Sequence, residues 1–581
     1  MDSLDRVVSA DVDSEDYMTP RNLSGQSWSQ RPAFRGAGRW SAVLLATLLM
    51  IACVTFIPYD DESSTPDTSP AARTYPISGY FITANTDASA NREKMADIKA
   101  LGGDTAITFG TLLRPATEES LPTDCLIQGV TCDKFVNASL RVHRFFTYSD
   151  GSHWGDSTLK CPRDRSVSSN GKSYTVLVLP TEGRGCNSPD ETYDVVIVGG
   201  SKASAEDPAR ALASAATELN MKFYAGLPAP VKRLDVDYLP DLSYVDTLDL
   251  FTERFLEYQA ANNDVLGLAG FYHHFEMPVS SSSFFDPVLS LYKMQNQAIH
   301  RVLPTRSAII SPYIESRLTA SNINPKDARL GIRRIAQTSG GLALKIAIQD
   351  GMGTGKGAAY LASEANAPVD AFAESIVGKG TWSEKYLAPN KDYFRAAAEG
   401  ISGTGAVLWA NLEGMAPAIE SNTCGNSLRG QTTLERMDRQ LQQMAEATKV
   451  ISFMWDPYFT CKGAGTPLKE QLQSGHTAPI VTDAIVDPGT GIVNVIGFNL
   501  SGVKATLKWT SQDGKAHERN SEPSSIAERY GAEIGLNPRL ESIAISLGDS
   551  PLAPGTPYIV NISNRQNADR STEFAGGVFT P

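Results

Sequence analysis

From Tyr75 to about residue 475 the chain alternates short, continuous apolar runs with longer amphipathic stretches. The apolar runs are YPISGYFIT (75–83), DTAITFG (104–110), MKFYAGLPA (221–229), VLGLAGFYHHFE (265–276), SAIISPYIE (307–315), LALKIAIQD (342–350), AVLWANLE (406–413) and VISFMWDPY (450–458). Between them, stretches such as NREKMADIKALG (91–102), ARALASAATELN (209–220), TLDLFTERFLEYQAAN (247–262), VLSLYKMQNQAIHRVL (288–303), PKDARLGIRRIAQTSG (325–340) and LERMDRQLQQMAEATK (434–449) carry apolar residues at helical spacing. Continuous apolar runs predict strands buried on both faces, as a parallel sheet requires. Strict alternation of strand and helix over eight units predicts an α/β fold closed as a (β/α)8 TIM barrel over residues 75–475, with an open doubly wound sheet as the structural rival.

Two regions break this rhythm. Residues 111–200 are too long for one βα connection and contain the runs SYTVLVLPT (173–181) and YDVVIVGGS (193–201), with Cys125, Cys132, Cys161 and Cys186. They predict an insertion between the second and third barrel strands, stapled by disulfides. From about residue 476 helical texture is lost, and runs such as GIVNVIGFNL (491–500), ATLKWTS (505–511) and TPYIVNIS (556–563) alternate with Gly, Pro, Asn and Asp. That pattern predicts an antiparallel β-sandwich of immunoglobulin-like type over 476–581.

The N-terminal part is different again. Residues 1–39, rich in Ser, Asp and Arg, predict a disordered tail. Trp40 to Ile57 is uncharged, preceded by Arg31, Arg35 and Arg39 and followed by Asp60, Asp61 and Glu62. A run of this length can cross the hydrocarbon as one transmembrane helix, and the flanking charges place the N-terminus in the cytoplasm. The expected protein is therefore anchored in the plasma membrane, with a Pro/Ser/Thr linker (58–74) and an extracytoplasmic barrel. A cleaved signal peptide and a lipoprotein signal cut before Cys53 are the alternatives.

Composition narrows the partners. The 581 residues carry a net charge of −13, which argues against nucleic acid and permits an uncharged polysaccharide. Six of the seven cysteines lie beyond the apolar segment, an even number suited to disulfides in an oxidising compartment. Proximity in the chain and in a closed barrel pairs Cys125 with Cys132, Cys161 with Cys186, and Cys424 with Cys461. No Cys or His stands at zinc-ligand spacing, so neither metal nor cofactor is expected.

In a (β/α)8 barrel, chemistry gathers at the C-terminal strand ends. Here those ends are polar and aromatic: Tyr272, His273, His274 and Glu276 after strand four; Tyr313, Glu315 and Arg317 after strand five; Gln349 and Asp350 after strand six; Trp409, Asn411 and Glu413 on strand seven; Trp455, Asp456 and Tyr458 after strand eight. Two carboxyl groups can divide the work of glycosidic cleavage, one protonating the leaving oxygen and the other attacking or activating water, while aromatic rings stack on sugars. For a single carboxylate, a structural hydrogen bond closing a loop is the simpler account; for Glu276 and Glu413 together, catalysis is preferred. Adjacent His273 and His274 point to opposite faces of a strand, so at most one faces the mouth. DGMGTGKG (350–357) fails as a phosphate loop, with Asp350 in place of the first Gly and Gly357 after the Lys.

On GFYHHFEMP, ISPYIESR, IAIQDGMG and LWANLEGM, residues from about 76 to 460 resemble an uncharacterised family of glycoside-hydrolase-like TIM barrels. More loosely, they are similar to the clan of retaining glycosidases with glutamates on strands four and seven. That similarity implies Glu276 as acid/base and Glu413 as nucleophile. Phe275 stands where the clan has Asn before the strand-four glutamate, which leaves Asp350 open as a partner in an inverting scheme. The expectation is a membrane-anchored glycoside hydrolase acting on cell-envelope or extracellular polysaccharide. Its rival is a catalytically silent, glycan-binding or scaffolding barrel, and fold alone does not choose between them.

Overall fold

The computed structural model describes residues 74–581 apart from 203–205, 237, 419–423, 426–427, 464, 488–490, 512–513, 522, 524, 548–555, 557, 565–570 and 577–581. The expected tail, membrane segment 40–57 and nearly all of the linker lie outside the described residues. Among the described residues, no helix is long and apolar enough to cross a membrane.

All eight apolar runs form strands: β1 (Gly79–Phe81), β2 (Thr105–Ile107), β3 (Lys222–Gly226), β4 (Leu268–Tyr272), β5 (Ser307–Ile310), β6 (Leu344–Gln349), β7 (Val407–Glu413) and β8 (Lys449–Phe453). They pair in parallel with their chain neighbours, and β8 pairs with β1, so the sheet closes into a barrel. Closure excludes the open doubly wound sheet. The strands are joined by α1 (Ala88–Ala100), α2 (Pro208–Glu218), α3 (Val245–Asn262), α4 (Asp286–Val302), α5 (Pro325–Ala336), α6 (Asn390–Ile401) and α7 (Leu434–Leu441). Helix starts follow local chemistry. Side chains of Asp87, Asp207, Asn324 and Thr433 accept first-turn N–H groups of α1, α2, α5 and α7. Each such cap stabilises its helix by about 1 kcal/mol.

The insertion forms a six-stranded sheet in the order Ala229–Pro230, Leu112–Ala116, Arg141–Tyr148, Thr192–Lys202, Lys172–Pro180, Arg165–Ser169. Its first strand in that order comes from the chain leaving β3, so the sheet is stitched to the barrel beside the β2 and β3 exits. It docks on α3 through Trp154, stacked on Phe251 and Tyr258, and through the buried Arg254–Asp164 ion pair at 2.9 Å. Among the described residues the disulfides are Cys125–Cys132, Cys161–Cys186 and Cys424–Cys461, as proximity in the chain and in a closed barrel predicts. The last joins the loop after β7 to the segment after β8.

The C-terminal region contains two four-stranded antiparallel sheets. They share one apolar core in which Val481, Val493 and Ile543 of one sheet meet Leu507, Val560 and Ile562 of the other. Leu361, from the loop after β6, is buried in that same core. Arg539 donates to the carbonyls of Tyr75 and Gly102, fastening this region to the barrel beside β1 and β2.

Candidate active site

The alternating pleat decides which strand-end residues face the barrel lumen. On β4 and its extension, Tyr272, His274 and Glu276 share the lumen side. The Tyr272 ring lies edge-on to Phe81 and Phe109, and His274 lies edge-on to Phe109. His273 turns outward instead, where its ring nitrogens lie 3.0 Å from Gln295 Oε1 and 2.8 Å from Asn296 Oδ1, both on α4. Burial lowers both histidines to about 4, so both are neutral. The Tyr272 hydroxyl donates to Glu276 Oε1 at 2.8 Å. Burial and then the Glu276 charge raise the Tyr272 hydroxyl well above its ordinary value, which keeps it a donor. Glu276 itself is half-buried.

Glu413 ends β7 on the lumen side and is 3% exposed. The loop after β6 covers it: Thr354 N–H donates to Glu413 Oε2 at 3.1 Å. Asp350 lies beside it with 0% exposure. Burial, followed by the negative charge of Glu413, raises the Asp350 carboxyl well above the usual carboxylate range. Arg436 of α7, itself buried, feels both carboxylates, pairs with Asp370 at 3.4 Å and donates to the Met352 carbonyl at 2.6 Å.

The remaining expected residues divide. Tyr313 lies at the mouth, with the Lys356 ammonium 4.2 Å from its ring centroid. Arg317 grips Glu315 through two nitrogens, at 2.8 and 2.5 Å. Gln349 Nε2 donates to the Ser311 carbonyl at 2.8 Å. Asn411 lies lower in the lumen, donating to Ser311 Oγ at 3.0 Å, and Ser311 also neighbours the Tyr272 hydroxyl. Asp456 sits at the rim between β1 and β8, paired with Lys94 at 2.5 Å.

Three expected substrate contacts are corrected. Trp409 faces the lumen four residues before Glu413, about 13 Å lower at the usual strand rise. It fills the barrel floor against Tyr224, with the ammonium groups of Lys345 and Lys449 over its ring. Trp455 leaves the lumen and packs on Tyr80 and Phe459. Asp350, by strand parity, turns toward α7 and presents no surface to a substrate.

Two aromatic residues escaped the sequence reading. Phe109 and Phe453 are half-buried and lie 5.8 Å apart between ring centroids; both lean on Phe81, and Phe109 also meets Tyr272. They form an apolar platform at the ends of β2 and β8. Reading all eight strand ends would have found Phe109, and weighing the apolar rings at the end of strand eight would have found Phe453.

No family model matches the chain, and no curated protein matches it. Solved structures do. A candidate alpha-L-fucosidase from Bacteroides thetaiotaomicron is 12% identical, with 70% of this chain and 96% of that one covered and a TM-score of 0.38. A glycoside hydrolase family 5 protein from Bacteroides vulgatus is 9% identical over 84% of this chain and 94% of that one, at a TM-score of 0.32. An endo-beta-1,4-mannanase from Thermotoga petrophila is 10% identical over 88% and 99%, at 0.28. Likenesses at these scores decide nothing about chemistry, and the barrel stands on its own strand pairing.

Chemically, the mouth offers two lumen-facing glutamates, three strands apart around the barrel, in unlike settings. One is half-exposed and held by a phenol; the other is enclosed, held by a backbone N–H and set beside a second carboxyl. Environments that separate the behaviour of two carboxyl groups are what division into acid and nucleophile requires.

Proposed function

We propose that this chain is a glycoside hydrolase cleaving a polysaccharide of the cell envelope or extracellular space by a two-carboxylate mechanism. The observation that carries the reading is the placement of Glu276 and Glu413 on the lumen side of β4 and β7, each with its own hydrogen-bond donor. Glu276, the more accessible, donates its proton to the leaving oxygen and later activates water. Glu413, in its enclosed site, attacks the anomeric carbon. Phe109, Phe453 and Tyr313 supply apolar ring faces for the sugar. A membrane anchor at residues 40–57 would hold the barrel against its substrate on the extracytoplasmic side. Release of reducing ends or oligosaccharides from a panel of wall and matrix polysaccharides by the purified full chain tests the reading. Abolition of that release in both Glu276→Gln and Glu413→Gln is the expected control.

A second reading has its own support: Glu413 is nearly inaccessible beneath Thr354. A barrel that holds this geometry throughout would bind glycan without cleaving it. Saturable binding to a polysaccharide with no product would favour that reading.

A further inference from the structure

Asp350 follows β6 directly, and strand parity turns its side chain toward α7. Its Oδ1 accepts from the N–H of Met352 at 3.0 Å and from the N–H of Glu413 at 3.3 Å. Its Oδ2 accepts from Gln440 Nε2 at 2.7 Å, and the same Nε2 donates to the Glu413 carbonyl at 3.0 Å. The backbone of Asp350 is equally fixed, donating to the Asn411 carbonyl at 3.1 Å and accepting from Asn390 Nδ2 at 2.7 Å. One fully buried residue thus ties β6, β7, α6 and α7 together beside the Glu413 backbone, its carboxyl reaching β7 and α7 and its main-chain carbonyl reaching α6.

We propose that Asp350 is a positioning residue for Glu413: it holds the end of β7 through the Glu413 N–H and governs the charge of the Glu413 side chain through the field of its own carboxyl. The catalytic consequence rests on the reading of Glu413 as nucleophile; the coupling between the two carboxyls does not. Two carboxylates in one water-poor site repel strongly, so the pair resists carrying two negative charges at once. The charged and titratable groups facing the pair are Arg436 from α7, whose own partner is Asp370, and Tyr458 from the segment after β8, with Arg429 beside it. Arg436 offsets part of the repulsion without removing it, since burial and Glu413 still raise Asp350.

A melting-temperature cycle tests the coupling without reference to activity. It compares the full chain with Asp350→Asn, Glu413→Gln and the double variant between pH 4 and 8. At pH 8, Glu413→Gln should raise the melting temperature in the parent and raise it less, or lower it, in the Asp350→Asn background; the difference should shrink toward pH 4 as the Asp350 carboxyl takes up its proton. Additive effects at every pH overturn the proposal. Should Asp350→Asn fail to fold, the pH dependence of Glu413→Gln alone decides: a gain that grows with pH supports coupling, and a flat one refutes it. Where a polysaccharide is turned over, Asp350→Asn should also lower kcat more than it raises KM, and a change in KM alone counts against the positioning role. Absence of turnover in the parent would sink the enzyme reading and leave the melting cycle to decide this one.

Discussion

The β4 side and the β7 side of the mouth are built from different materials. Around Glu276 the neighbours are rings: Tyr272, Phe81, Phe109 and, beyond them, Phe453 and His274. Around Glu413 they are hydrogen-bonding groups locked to one another: Asp350, Gln440, Arg436 and the Thr354 N–H. The ring side leaves its carboxyl accessible and adjustable. The polar side encloses its carboxyl and fixes both its backbone and its charge. A hydrolase that protonates from one side and attacks from the other gains from this asymmetry, because the attacking group needs accuracy and the acid needs exchange with water.

The largest effects should come from the two glutamates themselves. Glu413→Gln and Glu276→Gln should each lower turnover by about 10³-fold or more with an unchanged circular dichroism spectrum. Wild-type rates in either variant would dissolve the division of labour. Next in size, replacing Cys424 and Cys461 by Ser should cost about 3 kcal/mol in denaturant unfolding. That bridge braces only the β7–β8 side, so turnover should become heat-sensitive while the ring side keeps its packing.

The two sides should also respond to pH with opposite sign. His273 is held neutral on the β4 side, lowered to about 4, whereas an unfolded histidine protonates near 6.5. Its contribution is complete above about pH 6.5 and is lost as pH falls toward 4. Asp350 on the β7 side is raised, so the folded chain holds a proton that the unfolded chain releases near pH 4. Stability from this group is complete below about pH 4 and declines as pH rises. His273→Gln should flatten the acid side of the stability profile and Asp350→Asn the alkaline side; melting curves at matched ionic strength check both. The smallest effect belongs to Tyr272→Phe. Loss of the donor to Glu276 raises the glutamate's affinity for its proton, so the alkaline limb of the rate profile should move up by roughly half a unit. No movement would mean that the phenol serves packing alone.

Much of this was legible in the sequence. Eight apolar runs marked eight barrel strands because a strand covered on both faces has no polar alternation to confuse the reading. The disulfide partners followed because short loops and neighbouring strands leave few geometries for each cysteine. His273 and His274 separated correctly on strand parity. Parity applied further would have removed Asp350 from the substrate contacts, since it alternates with Gln349, and depth along β7 would have sent Trp409 to the floor. Trp455 was harder. Nothing local to MWDPY says that the chain leaves the strand path there and turns its indole toward Tyr80 and Phe459. The covering of Glu413 by Thr354 was invisible for a related reason, because a loop's path depends on where its far end is fastened.

That far end is Leu361. The segment beginning at Asp350 passes over Glu413 at Thr354 and finishes with a leucine buried among the C-terminal sheets. The β-sandwich therefore acts as a mooring post, and the stretch of chain above Glu413 is a line drawn to it. Shortening the protein at residue 475 would cast off that line, and the first symptom should be an exposed Glu413 rather than an unfolded barrel.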